Sequence, residues 1–599
     1  MQIIVNGKPA YIKKGSSFQF VAENRHFTGS DSYSLSITFP LKGCSENIAI
    51  FGNIHRTDVE KKQVNFECTI SDKAFSRSGI ITVTSISESE VKTQFLEGRS
   101  VQNYDETFDE IYINELQLGS YSPSLTSSPY DSWRGIDRDQ NYIALPWVNN
   151  SSGNVQNEIT KPSSGAEWQW GSDVKGLSFQ PYLLYIIRLI CSKLRYSVDI
   201  SEIENSQYKY LIICNALPYA WENYYWESVL PHWTVTEFFE QLGYLLGGDF
   251  SIDHKAHSIV FRFTRSEQEE IPPCRIDKVV DSYSADVSQD NACKYIEQVG
   301  MRFADCDHQA WKSYVCDWFI NENRRSVKEF PDMGEFEYYL YQYMDDSDDR
   351  GGYWYERSGC VRAMNYIFYV KDVDTYFVAR CFYCRKRTGD FTWWQQEYVV
   401  MPINVFRERK GSKDGSESIE LKCVPVWIDN LYNYNWCIYL DVPEYDGSAS
   451  EENYEHTNDN NGWNPSGQQM PVVNNLLAGE KEKRAEFFDK LYLGFWTGKE
   501  LNEYLTPFPI IDYITVTGER TYHITDMSLR LTRGYNNAEQ LYTLDETVKY
   551  TFSFLADDIP NPRALFYIKG QRYLCEKITA TFTENGMSQL LKGVFYKVK

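Results

Sequence analysis

Histidine is scarce, with 8 in 599 residues, and the few present are scattered. No HExxH helix, G-x-S-x-G elbow, phosphate-cradling P-loop or dinucleotide G-x-G-x-x-G turn occurs. No run of 18 consecutive apolar residues is present, and Met1-Gln2-Ile3-Ile4-Val5-Asn6-Gly7 shows no basic region followed by a long apolar one. The expectation is a chain that is not an enzyme, with no catalytic residue, cofactor, metal, signal peptide or membrane span. Positive charge is also in deficit: 60 basic against 83 acidic residues leave −23. Phosphate backbones are repelled by such a surface, which excludes tight nucleic-acid binding but suits a conduit through which DNA slides without being held.

Metal and redox chemistry is weakly written. The 14 cysteines are spread over the whole length, which points to reduced thiols in cores rather than a disulfide framework. Cys381-Phe382-Tyr383-Cys384 has the spacing of half a zinc site, with Cys360 upstream as a third ligand, but no second pair follows and a strand would turn the two thiols different ways. His254 and His257 flank a turn, and two ligands make no site. Asp345-Asp346-Ser347-Asp348-Asp349 lacks the spaced pattern of a calcium loop and reads as a solvated turn.

What the sequence has in excess is aromatic, with 45 Tyr, 33 Phe and 16 Trp, which suits half-buried β surface. Its length implies about three to five domains. Residues 1–118 are strand-like, with Phe18–Val21, a strictly alternating Tyr33–Phe39, Val64–Ile70 and Ile80–Val83. Residues 119–176, rich in Ser, Asn, Pro and Gly, read as a loop-rich connection. In 177–270, Pro181 suits the first turn of a helix whose face carries Leu183, Ile186, Ile187, Ile190 and Leu194. A second helix starts at Thr234, where Thr234 and Glu237 form a capping box and Trp233 and Phe238 a hydrophobic staple; Gly247-Gly248 ends it. Two alternating strands, Asp249–Asp253 and Ser258–Phe263, follow across His254–His257, giving one packed helix-hairpin unit. Residues 271–443 are irregular and β-rich, and 444–475 form a flexible polar loop. In 476–599 a charged helix over Glu480–Gly494 precedes strands at Tyr513–Thr517, Val548–Phe554, Ala564–Lys569, Tyr573–Thr583 and Gly593–Val598. The fold class is α+β, β-rich and multidomain, with a small β-barrel at each end and the helix-hairpin region between.

Two further patterns bear on function. Tyr224-Tyr225-Trp226, Tyr353-Trp354-Tyr355 and Trp393-Trp394 are candidate aromatics for stacking on glycans or filling subunit interfaces, core packing being the ordinary use. An internal echo joins Ile86-Ser87-Glu88 and Gln94-Phe95-Leu96-Glu97-Gly98 with Phe582-Thr583-Glu584 and Gln589-Leu590-Leu591-Lys592-Gly593. It is read either as duplicated barrels or as coincidence in strand-loop-strand text.

Three stretches resemble tail-tip and baseplate hub proteins of bacteriophages, in particular tail proteins from phages and prophages of Bacteroides-like hosts. They are Tyr33–Leu41 with Asn47–Arg56, then Trp233–Phe263, then Phe566–Ile578. The resemblance implies a structural virion protein, assembled in the host cytoplasm, that forms a homotrimeric hub at the distal end of a tail tube. Two barrels per chain would imitate a sixfold tube. Its implied partners are the tube or a distal tail protein, tip, spike or fibre proteins, and passing genomic DNA held without specific binding. A carbohydrate-binding adhesin of the tail is the alternative, and an enzyme using an unmarked carboxylate pair is a third reading.

Overall fold

The computed structural model describes residues 1–28, 32–34, 36–59, 65–73, 75–97, 106–121, 143–149, 155–157, 159–160, 169–170, 177–216, 224–253, 256–280, 283–287, 300–304, 327–344, 367–372, 375–388, 391–403, 418–432, 435–440, 489–496, 509, 511, 515–517, 522–524, 527–529, 531, 542 and 544–599. Two compact units emerge. One gathers Met1–Glu110, Gly247–Val299 and Asn537–Lys599, and the other Ile111–Leu246 and Gly300–Asn536. The expected 177–270 region falls on both sides of the boundary at Gly247.

In the first unit the N-terminal strands are β1 (Gln2–Val5), β2 (Lys8–Ala10), β3 (Ser17–Glu23), β4 (Ser32–Ser34), β5 (Ile37–Pro40), β6 (Asn65–Asp72), β7 (Phe75–Ile86) and β8 (Glu90–Leu96), with short helices α1 (Arg25–Thr28) and α2 (Ser45–Phe51). The single strand expected over Tyr33–Phe39 is broken. Tyr33 pairs Leu96 while Ile37 pairs Thr93, so four steps on one side match three on β8, as in a bulge. Gly79, in β7, lies where backbones crowd: a β-carbon there would sit 2.1 Å from the Leu96 carbonyl oxygen.

The later strands of this unit are β9 (Gly248–Asp253), β10 (Ser258–Phe263), β11 (Cys274–Ile276), β12 (Ser284–Val287), β13 (Leu544–Leu555), β14 (Leu565–Ile568), β15 (Gln571–Thr583) and β16 (Leu590–Val598), with helix α3 (Thr264–Glu270) after β10. The expected C-terminal strands from Val548 onward therefore all form. Both ends of the chain enter one sheet, ordered β2-β1-β6-β7-β8-β4-β3-β15-β16-β13-β12. The join is a seven-residue antiparallel ladder from Ser17 opposite Thr583 to Glu23 opposite Lys577. An aromatic seam lies beneath it: Phe18 stacks on Phe582 at 5.3 Å, and Phe75 meets Phe582 at 5.0 Å and Phe20 at 5.2 Å. These rings belong to one core that continues to Phe552, Phe566 and Phe595.

The order repeats. β7-β8-β4-β3 and β15-β16-β13-β12 are the same four-strand path, each with a further strand, β6 or β14, antiparallel on its first member. The inner hairpins, β7 with β8 and β15 with β16, are both antiparallel and both bulged. The sequence echo lands on these hairpins, since Ile86 ends β7 as Phe582 nears the end of β15. Beyond the turn it loses register: Gln94 lies inside β8, whereas Gln589 precedes β16. Among the described residues no unbroken ladder closes either half into the expected barrel.

Where the first half fails to close by a ladder, Asn47 bridges the gap. Its Oδ1 accepts the Tyr11 N–H at 3.0 Å, and its Nδ2 donates to the carbonyls of Tyr11 and Pro40, each at 2.8 Å. Lys13 N–H adds a bond to the Thr38 carbonyl at 3.1 Å. The side chain is fully buried on α2, whose end is set by Gly52 in the left-handed region at φ 59°.

The second unit is also β-rich, with helices at Leu183–Leu194 and Val235–Leu246. The first buries Leu183, Ile186, Ile187 and Ile190 of the stripe expected, with Leu194 half-buried, but Pro181 lies in a strand opposite Ile143 rather than in the helix. The second is capped as expected, Thr234 Oγ1 accepting the Glu237 N–H at 3.1 Å, while the Glu237 carboxylate turns to Lys422 at 2.6 Å. Trp233 and Phe238 are both buried, and Gly247 follows in the left-handed region at φ 70°. Leu491–Phe495 is a strand between Leu211–Ile213 and Cys423–Pro425, not the end of a helix. Its buried Leu491, Leu493 and Phe495 recur every second residue, a strand period overlooked beside the charged run before it. Phe336, on the helix Met333–Met344, packs on Phe330, Phe368 and Phe377 of a six-stranded sheet. The 444–475 loop and the Asp345–Asp349 run lie outside the described residues.

Asn47→Ala is expected to cost about 1–3 kcal/mol, because it removes the partner of the Tyr11 N–H and of two carbonyls. Denaturant unfolding followed by circular dichroism measures it; an unchanged midpoint would show that Asn47 bridges nothing of consequence.

Candidate assembly surface

The C-terminal half of the sheet ends in β12, which pairs antiparallel with β13 from Ser284 opposite Thr551 to Val287 opposite Val548. All four of its residues are exposed, Val287 to 72%, and Tyr283 just before it to 51%. Large apolar side chains are rarely left in water without a partner to cover them when they cluster on a sheet edge. Tyr283 leans on an aromatic ladder, 5.7 Å from Tyr550 and 5.9 Å from Phe552, with the Lys569 ammonium 5.8 Å above its ring. Phe552 in turn meets Tyr573 at 5.4 Å and Phe595 at 5.8 Å. The edge is therefore packed from within, while no strand lies on its outer side among the described residues. Exposed Leu555 and Leu590, opposite one another in register, extend the apolar character along this half.

A buried ionic clasp ties together the three chain segments of this unit. Arg25, on α1, has a side chain only 4% exposed. It donates to Ser251 Oγ at 2.6 Å and to both Glu267 oxygens at 2.9 and 3.0 Å, and it pairs with Asp249 at 2.9 Å. Arg563 also pairs with Glu267, and His26 Nε2 lies 3.4 Å from it. Burial alone would push the Glu267 carboxyl up, but His26, Arg25 and Arg563 hold it well below the usual carboxylate range. A carboxylate held this firmly in its ionised form is a poor general acid. Beside it a cleft of about 670 Å³ is lined by Arg262, Glu267, Pro272, Pro273, Cys274 and Arg563 among others. Burial raises the Cys274 thiol, so it is not poised as a nucleophile.

The aromatics singled out in the sequence are dispersed. Trp226 is an interior ring, 3% exposed, 5.6 Å from Tyr185 and 5.8 Å from Tyr121. Tyr225 is half-buried, and Tyr224 pairs with Tyr121 along a two-residue strand. Trp393 and Trp394 sit in the strand Phe391–Ile403, opposite Lys386 and Arg385. Tyr353, Trp354 and Tyr355 lie outside the described residues. Cys381 and Cys384 occur in the strand Thr375–Thr388, opposite Tyr398 and Gln395, while Cys360 and His254 are not described. Among the described residues no group of three His, Cys, Asp or Glu side chains is arranged to hold a metal, and no helix is long and apolar enough to cross a membrane. Sequence reasoning missed the clasp. Arg25, the Asp249 and Glu267 pair, and Arg563 lie in three segments hundreds of residues apart and are of ordinary surface type, so no local pattern marks them.

No known protein family matches the sequence, and no curated protein matches it. Among solved structures the chain is similar to the 43 kDa tail protein of prophage MuSo2 from Shewanella oneidensis. The identity is 8% and the TM-score 0.29, over 100% of this chain and 97% of that one.

Glu267→Gln is expected to destabilise the first unit by about 3–5 kcal/mol, because it leaves Arg25 buried with half its counter-charge. The folded carboxyl lies below its unfolded value of 4.5, so its contribution is present above about pH 4.5 and is lost as the pH falls through the lower, folded value. Thermal melts from pH 7 to pH 3 should show the gap between wild type and the variant narrowing toward the acid end; parallel curves would refute this.

Proposed function

We propose that the chain is a structural component of a bacteriophage-type tail, in which copies assemble into the hub at the distal end of the tail tube. One observation carries the reading: the two termini build two halves of one sheet with the same strand order, joined edge to edge. A chain that already sets two like modules side by side supplies a repeating wall, and a trimer supplies six such modules. The first and third stretches that resemble hub proteins fall on this architecture, since Asn47–Arg56 carries the bridging Asn47 and Phe566–Ile578 forms most of the β14–β15 hairpin, whereas Trp233–Phe263 spans the boundary between the two units. A charge of −23 suits a passage that lets DNA through without binding it.

The proposal assigns the chain no catalysis and no cofactor. It places it in the virion, with the tube or a distal tail protein on one side and tip, spike or fibre proteins on the other. Electron microscopy of the purified full chain should show closed rings of three copies around a central hole, and antibody labelling of particles should mark the tail end remote from the head. Solitary monomers together with unlabelled tails would overturn the reading.

A further inference from the structure

We propose that β12 of one copy pairs antiparallel with the end of β7, Val83–Ile86, of a second copy, extending the sheet from chain to chain. This rests on the reading of the chain as a ring-forming tail component and names the edges by which its copies meet.

The argument is the period of the sheet itself. Its path runs β7-β8-β4-β3 and then β15-β16-β13-β12. Within the chain, the last strand of the first set, β3, is paired by the first strand of the second, β15, over Lys577–Thr583. The last strand of the second set, β12, holds the place of β3, and its outer edge has no strand on it among the described residues. The next strand in the same period is another β7.

β7 offers the matching edge. β14 covers β15 only as far as Leu574, which leaves the rest of that edge to β3. On β7, β6 is paired as far as Asn65 opposite Thr82, and no described strand pairs Val83–Ile86 on that side. Four residues of β12 thus face four of β7. Thr84 and Ser85 are exposed, and the β-branched Val83, Thr84, Ile86 and Val287 are well suited to a ladder. From Phe75 to Ile86 the strand has no acidic residue to oppose Asp286 of β12. The far end of the sheet is not the acceptor: Pro9 in β2 has no N–H to give, and both backbone groups of Tyr11 are taken by Asn47.

The test uses the full-length chain with Thr84→Cys and Val287→Cys, treated with a short bismaleimide and run on a denaturing gel. Covalent dimers and larger species are expected from the double variant and not from either single variant or wild type. Their absence from the double variant would overturn the proposal, and so would equal cross-linking by Val287→Cys alone, which would mean contact between like edges. In a second arm, Ala285→Lys with Val287→Lys is expected to weaken self-association at least tenfold by sedimentation while leaving the melting temperature unchanged; unaltered association would overturn it. Antibody labelling of particles separates the two readings. Tail-end labelling without cross-links removes this edge pairing alone, and cross-linked assemblies absent from tails remove the functional reading alone.

Discussion

The ladder between β3 and β15 is the constraint from which the first unit follows. It joins residues more than 550 positions apart, from Ser17 opposite Thr583 to Glu23 opposite Lys577, so the two termini must come together for the core to exist. Phe18, Phe20 and Phe582 lie on this pair of strands, and each buried ring contributes about 1.5–3 kcal/mol of transfer free energy. Such non-local pairing has a large loop-closure cost before any contact rewards it. The clasp of Arg25 with Asp249 and Glu267, and of Glu267 with Arg563, draws on the same three segments. Its role is better described as specification than as net stability. A hydrophobic replacement of similar volume would often be as stable, but it would not define which segments meet.

Local signals in the sequence were readable where one element settles its own conformation. The alternation from Tyr573 to Thr583 gives β15, and Thr234 with Glu237 marks a helix start found one residue later, at Val235. The stripe from Leu183 to Ile190 gives a buried helical face. Legibility fails where a distant partner decides. The break between β4 and β5 is imposed by the register on β8, and nothing in Tyr33–Phe39 announces it. The strand Leu491–Phe495 lies between two others, from Leu211 and from Cys423, which override the helical reading of Leu491–Gly494; residues 480–488 lie outside the described residues.

The same distinction governs the candidate surface. Clusters of Tyr and Trp attract attention in a sequence, yet Trp226 is spent on the interior. The exposed edge β12, Ser-Ala-Asp-Val, is unremarkable as text and acquires meaning only from its place at the end of a repeated path. The echo near Ile86 and Phe582 falls on the inner hairpins of that path. Its register decays after the turn because the short strand Gly586–Met587 lengthens the second hairpin, so strand order preserves the likeness better than residue spacing does.

The two ends of the sheet are treated differently, and the difference gives the unit a direction. At β2 the edge is blunted: proline removes a donor, and Asn47 occupies the next N–H and C=O as a side-chain imitation of a neighbouring strand. At β12 no such device is present among the described residues, and Val287 stands 72% exposed. A sheet open at both ends would template its own growth without limit, as edge-to-edge aggregation does. With one end closed, the acceptor of β12 in the proposed assembly would lie elsewhere, at a site defined by the fold rather than at the matching end of the sheet. That is the geometry of a heterologous contact, which closes into a ring if the rotation between copies permits and otherwise continues as a filament. Rotation between the two like halves is already fixed within each chain by the β3–β15 ladder and the aromatic seam beneath it. In the proposed assembly the internal junction would serve as the template for the angle at which the next copy is received.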